Sequence, residues 1–384
     1  MLADDIARRR AALWRALPDD VRAVLVFGFG DALGAGTMSH GALRYLTGWN
    51  SHEAQSLAIL TPQGCRLLVS SPFLAPPSDL GAQSLPSNRW GEAIAAHVGP
   101  SGPLATIGFG EMPHATHSTL CAALGGHAVT QADDILSTLR MVKSPTELAS
   151  LTKGAALCDD LFDRLPVHMR SGEPVWKTQL RQETHARLSG ADYCRTWLTV
   201  RPIADRPRYW PEENRNIPQD GDQVLFGIAL TVNGYWAHGI RMGTVGPARA
   251  EHEVLWSIAH DALLAGEAAL TPGCPVGDIE TAMSGVVLSR TRGSADLRRF
   301  RNGHGLGVSY EDPMLSDHFP QHWGPEQFRT APPDAQTIET GMVFELHPNL
   351  FIPGLGGAAL GDMMTIEPAG ARAMLHFPRR LFLS

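Results

Sequence analysis

A chain of 384 residues, 43% hydrophobic and 18% charged, is too long for one ordinary core and reads as a globular protein of two domains. Its net charge of −7 and pI near 6.1 argue against nucleic acid or an anionic membrane as the main partner. Five cysteines (Cys65, Cys121, Cys158, Cys194, Cys274) are odd in number and lack CxxC spacing, which suits a reducing compartment and no disulfide framework. The N-terminal MLADDIARRRAALWRAL lacks the apolar core of a signal peptide and reads as an amphipathic surface helix. No stretch approaches the roughly 18 apolar residues of a membrane span, so the cytoplasm is the expected location.

Residues 1–140 predict alternating helices and strands. VRAVLVFGFG (21–30), QSLAILTP (55–62) and CRLLVSS (65–71) are short, apolar and bounded by turn residues, as buried strands are. NRWGEAIAAHVG (88–99) and STLCAALGG (118–126) read as helices stopped by glycine. A helix start follows at Ser144-Pro145-Thr146-Glu147, with Ser at the N-cap, Pro first and Glu third. The domain boundary is placed there, giving 1–140 and 141–384, with helices predicted over 146–171 and 174–188. Arg290, Arg292, Arg298, Arg299 and Arg301 form a basic cluster read as a solvated face and loop.

Four later segments carry the chemistry: GDQVLFGIALTVNGYWAHGIRMGTVG (221–246), NGHGLGVSYEDP (302–313), GMVFELHPNL (341–350) and GGAALGDMMTIEP (356–368). Side chains two apart on a strand share a face. Leu225, Gly227 and Ala229 therefore point one way, Trp236, His238 and Ile240 point together, and Val343, Glu345 and His347 form a third set. The glycines around His304 let the backbone turn tightly and present its ring. By the same parity, Asp362 points away from position 361.

In this order the four segments resemble the pita-bread family, which includes methionine aminopeptidase, aminopeptidase P, prolidase and creatinase. The resemblance implies an α/β N-terminal domain and an α+β pita-bread C-terminal domain. The family's usual ligands to two metal ions are two Asp on the first hairpin, the His of GHG, the Glu of an EP dipeptide and a late Glu. Here those slots hold Gly227, His238, His304, His347 and Gly361, and only His304 is the family's own ligand. The slots at 238, 304 and 347 all serve one of the two metals in the family. Three imidazoles there would make a mononuclear site for Fe, Zn, Cu, Ni or Mn with open positions for water or substrate. A metal-free pocket using histidine and a non-catalytic binding subunit are the other readings.

Further site residues follow from the same resemblance. Glu345, on the strand face of His347, is a fourth ligand, an outer partner or a general acid/base. Tyr310 takes the slot where peptidases place a catalytic His and could donate to an oxyanion. Arg241 matches the family's arginine after the second Asp, structural or a clamp for a substrate carboxylate. Tyr209 and Trp210 stand near the place of the creatinase base and are read as pocket wall. ALRYLTGWNSHEAQSLAIL resembles the YLTG strand-and-turn of creatinase-like N-terminal domains. That likeness implies a homodimer with His52 and Glu53 near the partner's active site, against the simpler reading of a polar loop. The stretch SDHFPQHWGPEQFRTAPPD (316–334) reads as a surface loop or a lid. With four of five ligands changed, the expected function is a small-molecule enzyme and not a peptidase, cleaving a C–N or related bond of an amino-acid-derived substrate at one metal. Oxygen-dependent chemistry is the alternative if the metal is iron or copper.

Overall fold

The computed structural model describes residues 2–30, 39–293, 296–300, 302–308 and 336–383. Among the described residues, the first compact unit holds those up to Met141 together with Val308, and the second holds Val142–Gly307 and those from 336 onward.

In the first unit six strands form one sheet in the order Gln83–Ser84, Gly64–Val69, Ser56–Thr61, Ala23–Gly28, Gly102–Ile107 and His127–Gln131. Ala23–Gly28 is buried along its whole length, which explains why its sequence is a continuous apolar run instead of an alternating one. Leu25, Phe27, Leu57, Ile59 and Leu68 pack with Trp90 and Ile94 of the Trp90–Val98 helix. The Trp90 indole is fully buried, 6.5 Å from the Phe27 ring, and donates Nε1–H to the Leu85 carbonyl at 3.0 Å. Trp90→Ala is expected to cost about 3–5 kcal/mol, read as a lower denaturation midpoint of this unit; an unchanged midpoint would contradict the packing. ALRYLTG is not a strand: Ser39–Thr47 is a helix. Leu43 and Leu46 are buried at helical spacing, and Gly48, at φ 74°, ends the helix with its N–H on the Arg44 carbonyl.

The second unit opens with the capped helix Pro145–His168: Ser144 Oγ accepts from the Glu147 N–H, and Glu147 returns a carboxylate to the Ser144 N–H at 2.9 Å. Val175–Leu188 follows. A four-stranded sheet runs Phe382–Leu383, Tyr235–Thr244, Asp222–Val232, Tyr193–Pro202. Strand Asp222–Val232 lies between two long neighbours and is buried on both faces. One face packs on the Pro145–His168 helix, where Phe162 meets Phe226 edge-on at 5.6 Å. The other face carries Gly227, Ala229 and His238. A second four-stranded sheet is ordered Gly303–Gly305, Val343–Leu346, Asp362–Glu367, Gly370–Ala373. Ile240 and Gly361 exchange two backbone hydrogen bonds, 3.1 and 2.9 Å, and join the two sheets beside His238. Among the described residues no helix is long and apolar enough to cross a membrane.

Candidate metal centre

Three strands deliver the site. His238 stands on Tyr235–Thr244, His304 on Gly303–Gly305, and Glu345 on Val343–Leu346, directly opposite His304 in the antiparallel register. Opposite residues share a face, so the pairing aims both side chains at one point. One ligand atom each from His238, His304 and Glu345 lie within 4.8 Å of one another, and all three side chains are buried. His347, just beyond the strand end, closes the group, its ring 5.1 Å from that of His304 and 5.7 Å from that of His238. The resemblance implied three imidazoles at one point; the tight trio in the structure is two imidazoles and a carboxylate, with His347 fourth.

The donor set fits a divalent transition ion. His304 donates Nδ1–H to the Gly305 carbonyl at 2.9 Å, which leaves the lone pair of a neutral ring on Nε2, directed into the site. Glu345 Oε2 lies 3.5 Å from that Nε2 and is also in close contact with His238 Nδ1. A lone pair and a carboxylate oxygen at that spacing repel unless a cation or proton stands between them. His347 has a similar support: its Nδ1 is 3.4 Å from the Asn349 amide nitrogen, while the buried Asn349 Oδ1 has no hydrogen-bond partner among the described residues. Turning that amide by 180° sets Oδ1 against Nδ1–H, satisfies the oxygen and leaves Nε2 to coordinate. Asn349→Ala is therefore expected to weaken metal affinity roughly 10- to 100-fold, measured by competition with a chelating dye. Unchanged affinity would remove Asn349 from the centre.

The two glycine slots have different neighbours. A Cβ at Gly361 would stand 2.5 Å from Glu345 Oε1: the carboxylate of 345 occupies the space where a glutamate at 361 would begin. A Cβ at Gly227 would meet the Trp197 ring at 3.4 Å. Trp197 is paired with Gly227 across the sheet, and its indole is 5.5 Å from the His238 ring. The Glu345 carboxylate thus lies beside position 361, and the Trp197 indole beside position 227.

Other expected site residues fall elsewhere. Arg241 is no pocket clamp. Alternation puts it on the face opposite His238, fully buried, donating to the carbonyls of Ile240 and Phe377 at 3.0 and 2.8 Å and to that of Gly361. Asp362, 3.6 Å from Arg241 and hydrogen-bonded by Arg379, lies on that side too. Burial raises its carboxyl pKa, with the two arginines opposing. Trp210 is exposed and stacks on Arg195. The Tyr209 carbonyl accepts from Gln179 Nε2 at 3.0 Å, and burial pushes its phenol pKa up. His52 belongs to the first unit, at an exposed turn with φ 49°. Tyr310, Arg301 and the stretch 316–334 lie outside the described residues. Trp197 and Asn349 escaped notice in the sequence. Strand parity along Tyr193–Pro202 would have found the first, and nothing local marks the second.

Two mixed-sheet units with buried ligands converging from the strands of the second define a pita-bread metalloenzyme. The chain belongs to metallopeptidase family M24, whose profile it matches over residues 149–368, and so to a family of metal-dependent hydrolases. It is similar to the uncharacterized peptidase YqhT of Bacillus subtilis, with 23% identity over 273 residues, 71% of this chain and 72% of that one. Among solved structures it resembles the prolidase of Thermococcus sibiricus, with a TM-score of 0.76, 19% identity, and 99% and 98% of the two chains covered. The dipeptidase PepE of Mycobacterium ulcerans gives a TM-score of 0.74 at 21% identity, covering 99% and 98%. The family and the names of these relatives overturn the expectation that the chain is not a peptidase. That expectation equated changed ligand slots with lost hydrolytic chemistry.

Proposed function

We propose that the chain is a peptidase that hydrolyses the amide bond of short peptides at a single metal ion held by His238, His304, Glu345 and His347. The observation that carries this reading is the His304 Nε2 held 3.5 Å from the Glu345 carboxylate, with the His304 Nδ1–H committed to Gly305. One ion, and not two, is supported by Gly227 and Gly361, which bring no donors, and by the indole and carboxylate that fill the space beside them. An ion in this N/O donor set polarises a carbonyl and makes bound water acidic near neutral pH. In this reading Glu345 takes the proton of the attacking water and returns it to the leaving amine, a role supported by its carboxylate lying within 4.8 Å of the His238 and His304 nitrogens. The burial of His238, His304, Glu345 and His347 keeps water from their charges, which strengthens each electrostatic contact. Family membership and the peptidase relatives support the choice of an amide as substrate.

Protein purified without a histidine tag should hydrolyse unblocked dipeptides, lose this activity on dialysis against a chelator, and regain it with zinc or manganese. Undiminished hydrolysis by metal-free protein contradicts the reading.

A further inference from the structure

The short strand that carries His304 is pegged to a helix just before it begins. On Gly277–Arg290, Ile279, Met283 and Val287 are buried. Met283 packs so tightly on the neighbouring helix Ala250–Ala269 that a Cβ at Gly266 would stand 2.5 Å from its sulfur. Glu280 and Ser284 follow that buried row by one position and, four apart, share a helix face. There they meet Asn302, which is buried. The Asn302 amide nitrogen donates to Glu280 Oε2 at 2.8 Å and to Ser284 Oγ at 2.9 Å. Ser284 Oγ gives its own proton to Glu280 Oε1 and accepts from the Arg299 guanidinium at 2.7 Å. Each of these hydrogens meets an acceptor, and the carboxylate sets the polarity of the ring because both of its oxygens accept. Through its backbone carbonyl, Asn302 accepts from the His347 N–H at 2.8 Å. It stands one residue before the strand pair Gly303–Leu346, which is followed by His304–Glu345.

We propose that Glu280 is a positioning residue of the metal centre: through Asn302 it fixes the His304 segment and the His347 segment to one rigid point. The proposal rests on the centre described above. A strand of three residues, Gly303–Gly305, has few bonds of its own to hold its register, whereas the helix behind Asn302 is locked by packing. Imidazole nitrogens bind a transition ion at about 2.0–2.1 Å, so a small slip of either segment costs a bond. Groups that orient ligands from behind are worth roughly 10- to 100-fold in metal affinity.

The test uses divalent cobalt, whose visible absorption reports coordination geometry, on tag-free protein. Glu280→Gln keeps the shape but places an amide N–H2 where an acceptor is needed, so one donor is left unmatched whichever way the amide turns. Glu280→Gln and Asn302→Ala should each bind cobalt roughly 10- to 100-fold more weakly than wild type, with an altered spectrum. A loss of stability alone would leave the affinity and spectrum of the folded protein unchanged. Combining Glu280→Gln with Asn302→Asp exchanges donor for acceptor and should recover most of the affinity. Ser284→Ala removes only the hydroxyl bridge; it should show the same pattern more weakly, and it decides the matter if Glu280→Gln does not fold. A second arm needs no metal. In metal-free Glu280→Gln, amide hydrogen exchange should quicken in the segments holding Asn302–Gly305 and Leu346–Asn349 and stay as in wild type along Asp222–Val232. Wild-type cobalt affinity and spectrum in Glu280→Gln, or a loss that Asn302→Ala does not share, overturns the role. If wild-type protein takes up no cobalt, the centre itself fails, and the exchange arm still decides whether Glu280 fixes the two segments: unchanged exchange in both overturns it.

Discussion

Glu345→Gln should slow dipeptide turnover roughly 100- to 10,000-fold, the range for removing a group that moves the proton of an attacking water. Glutamine keeps the shape and loses both the charge and the basic oxygen. Because Oε2 lies among the imidazole nitrogens and Oε1 against Gly361, the same change should weaken the hold on the ion. Metal bound to the native state alone raises the denaturation midpoint by mass action; that rise should be large in wild type and small in the variant. The metal-free variant should unfold no more easily than metal-free wild type, since a buried carboxylate without a cation is itself costly. A variant with full turnover and full metal content would end the assignment of Glu345.

His304→Ala should have the second large effect. His304 is the ring whose coordinating nitrogen is set by its own backbone bond to Gly305. Losing a ligand should cost more than the roughly 10- to 100-fold in affinity lost with an outer partner. Activity should fall to background at micromolar metal, while far-ultraviolet dichroism and the packing of the first unit survive. Partial rescue of activity by added imidazole would be a further mark of the vacated position. Wild-type metal content in His304→Ala would exclude the ring as a ligand.

Much of this centre was legible in the sequence because its logic is local. Period-two alternation grouped His238 with Trp236 and Ile240, and Glu345 with His347, the family resemblance supplied the common aim of positions 227 and 238, and the glycines around His304 marked a tight turn that presents its ring. The capping box at Ser144 likewise needs only four residues to be seen. What escaped needs the partner strand. Trp197 covers Gly227 only because the register sets them opposite, and Glu345 reaches the space of position 361 only because Val343–Leu346 and Asp362–Glu367 are neighbours. Arg241 was left as structural or a clamp, and the alternation that separates it from His238 would have favoured the structural reading. The Ser39–Thr47 helix was read as a strand from likeness, although Leu43, Leu46 and Thr47 repeat at helical spacing. The loss of peptidase function was inferred from slots counted one by one, and such a count does not weigh the chemistry that the remaining groups can still support.

Metal stoichiometry tests the centre most directly. Tag-free protein, saturated with zinc or manganese and freed of loose metal, should hold about one ion per chain by elemental analysis, and should lose it together with dipeptide hydrolysis in His238→Ala, His304→Ala and His347→Ala. Two ions per chain, or none after supplementation, would contradict a single centre built from His238, His304, Glu345 and His347.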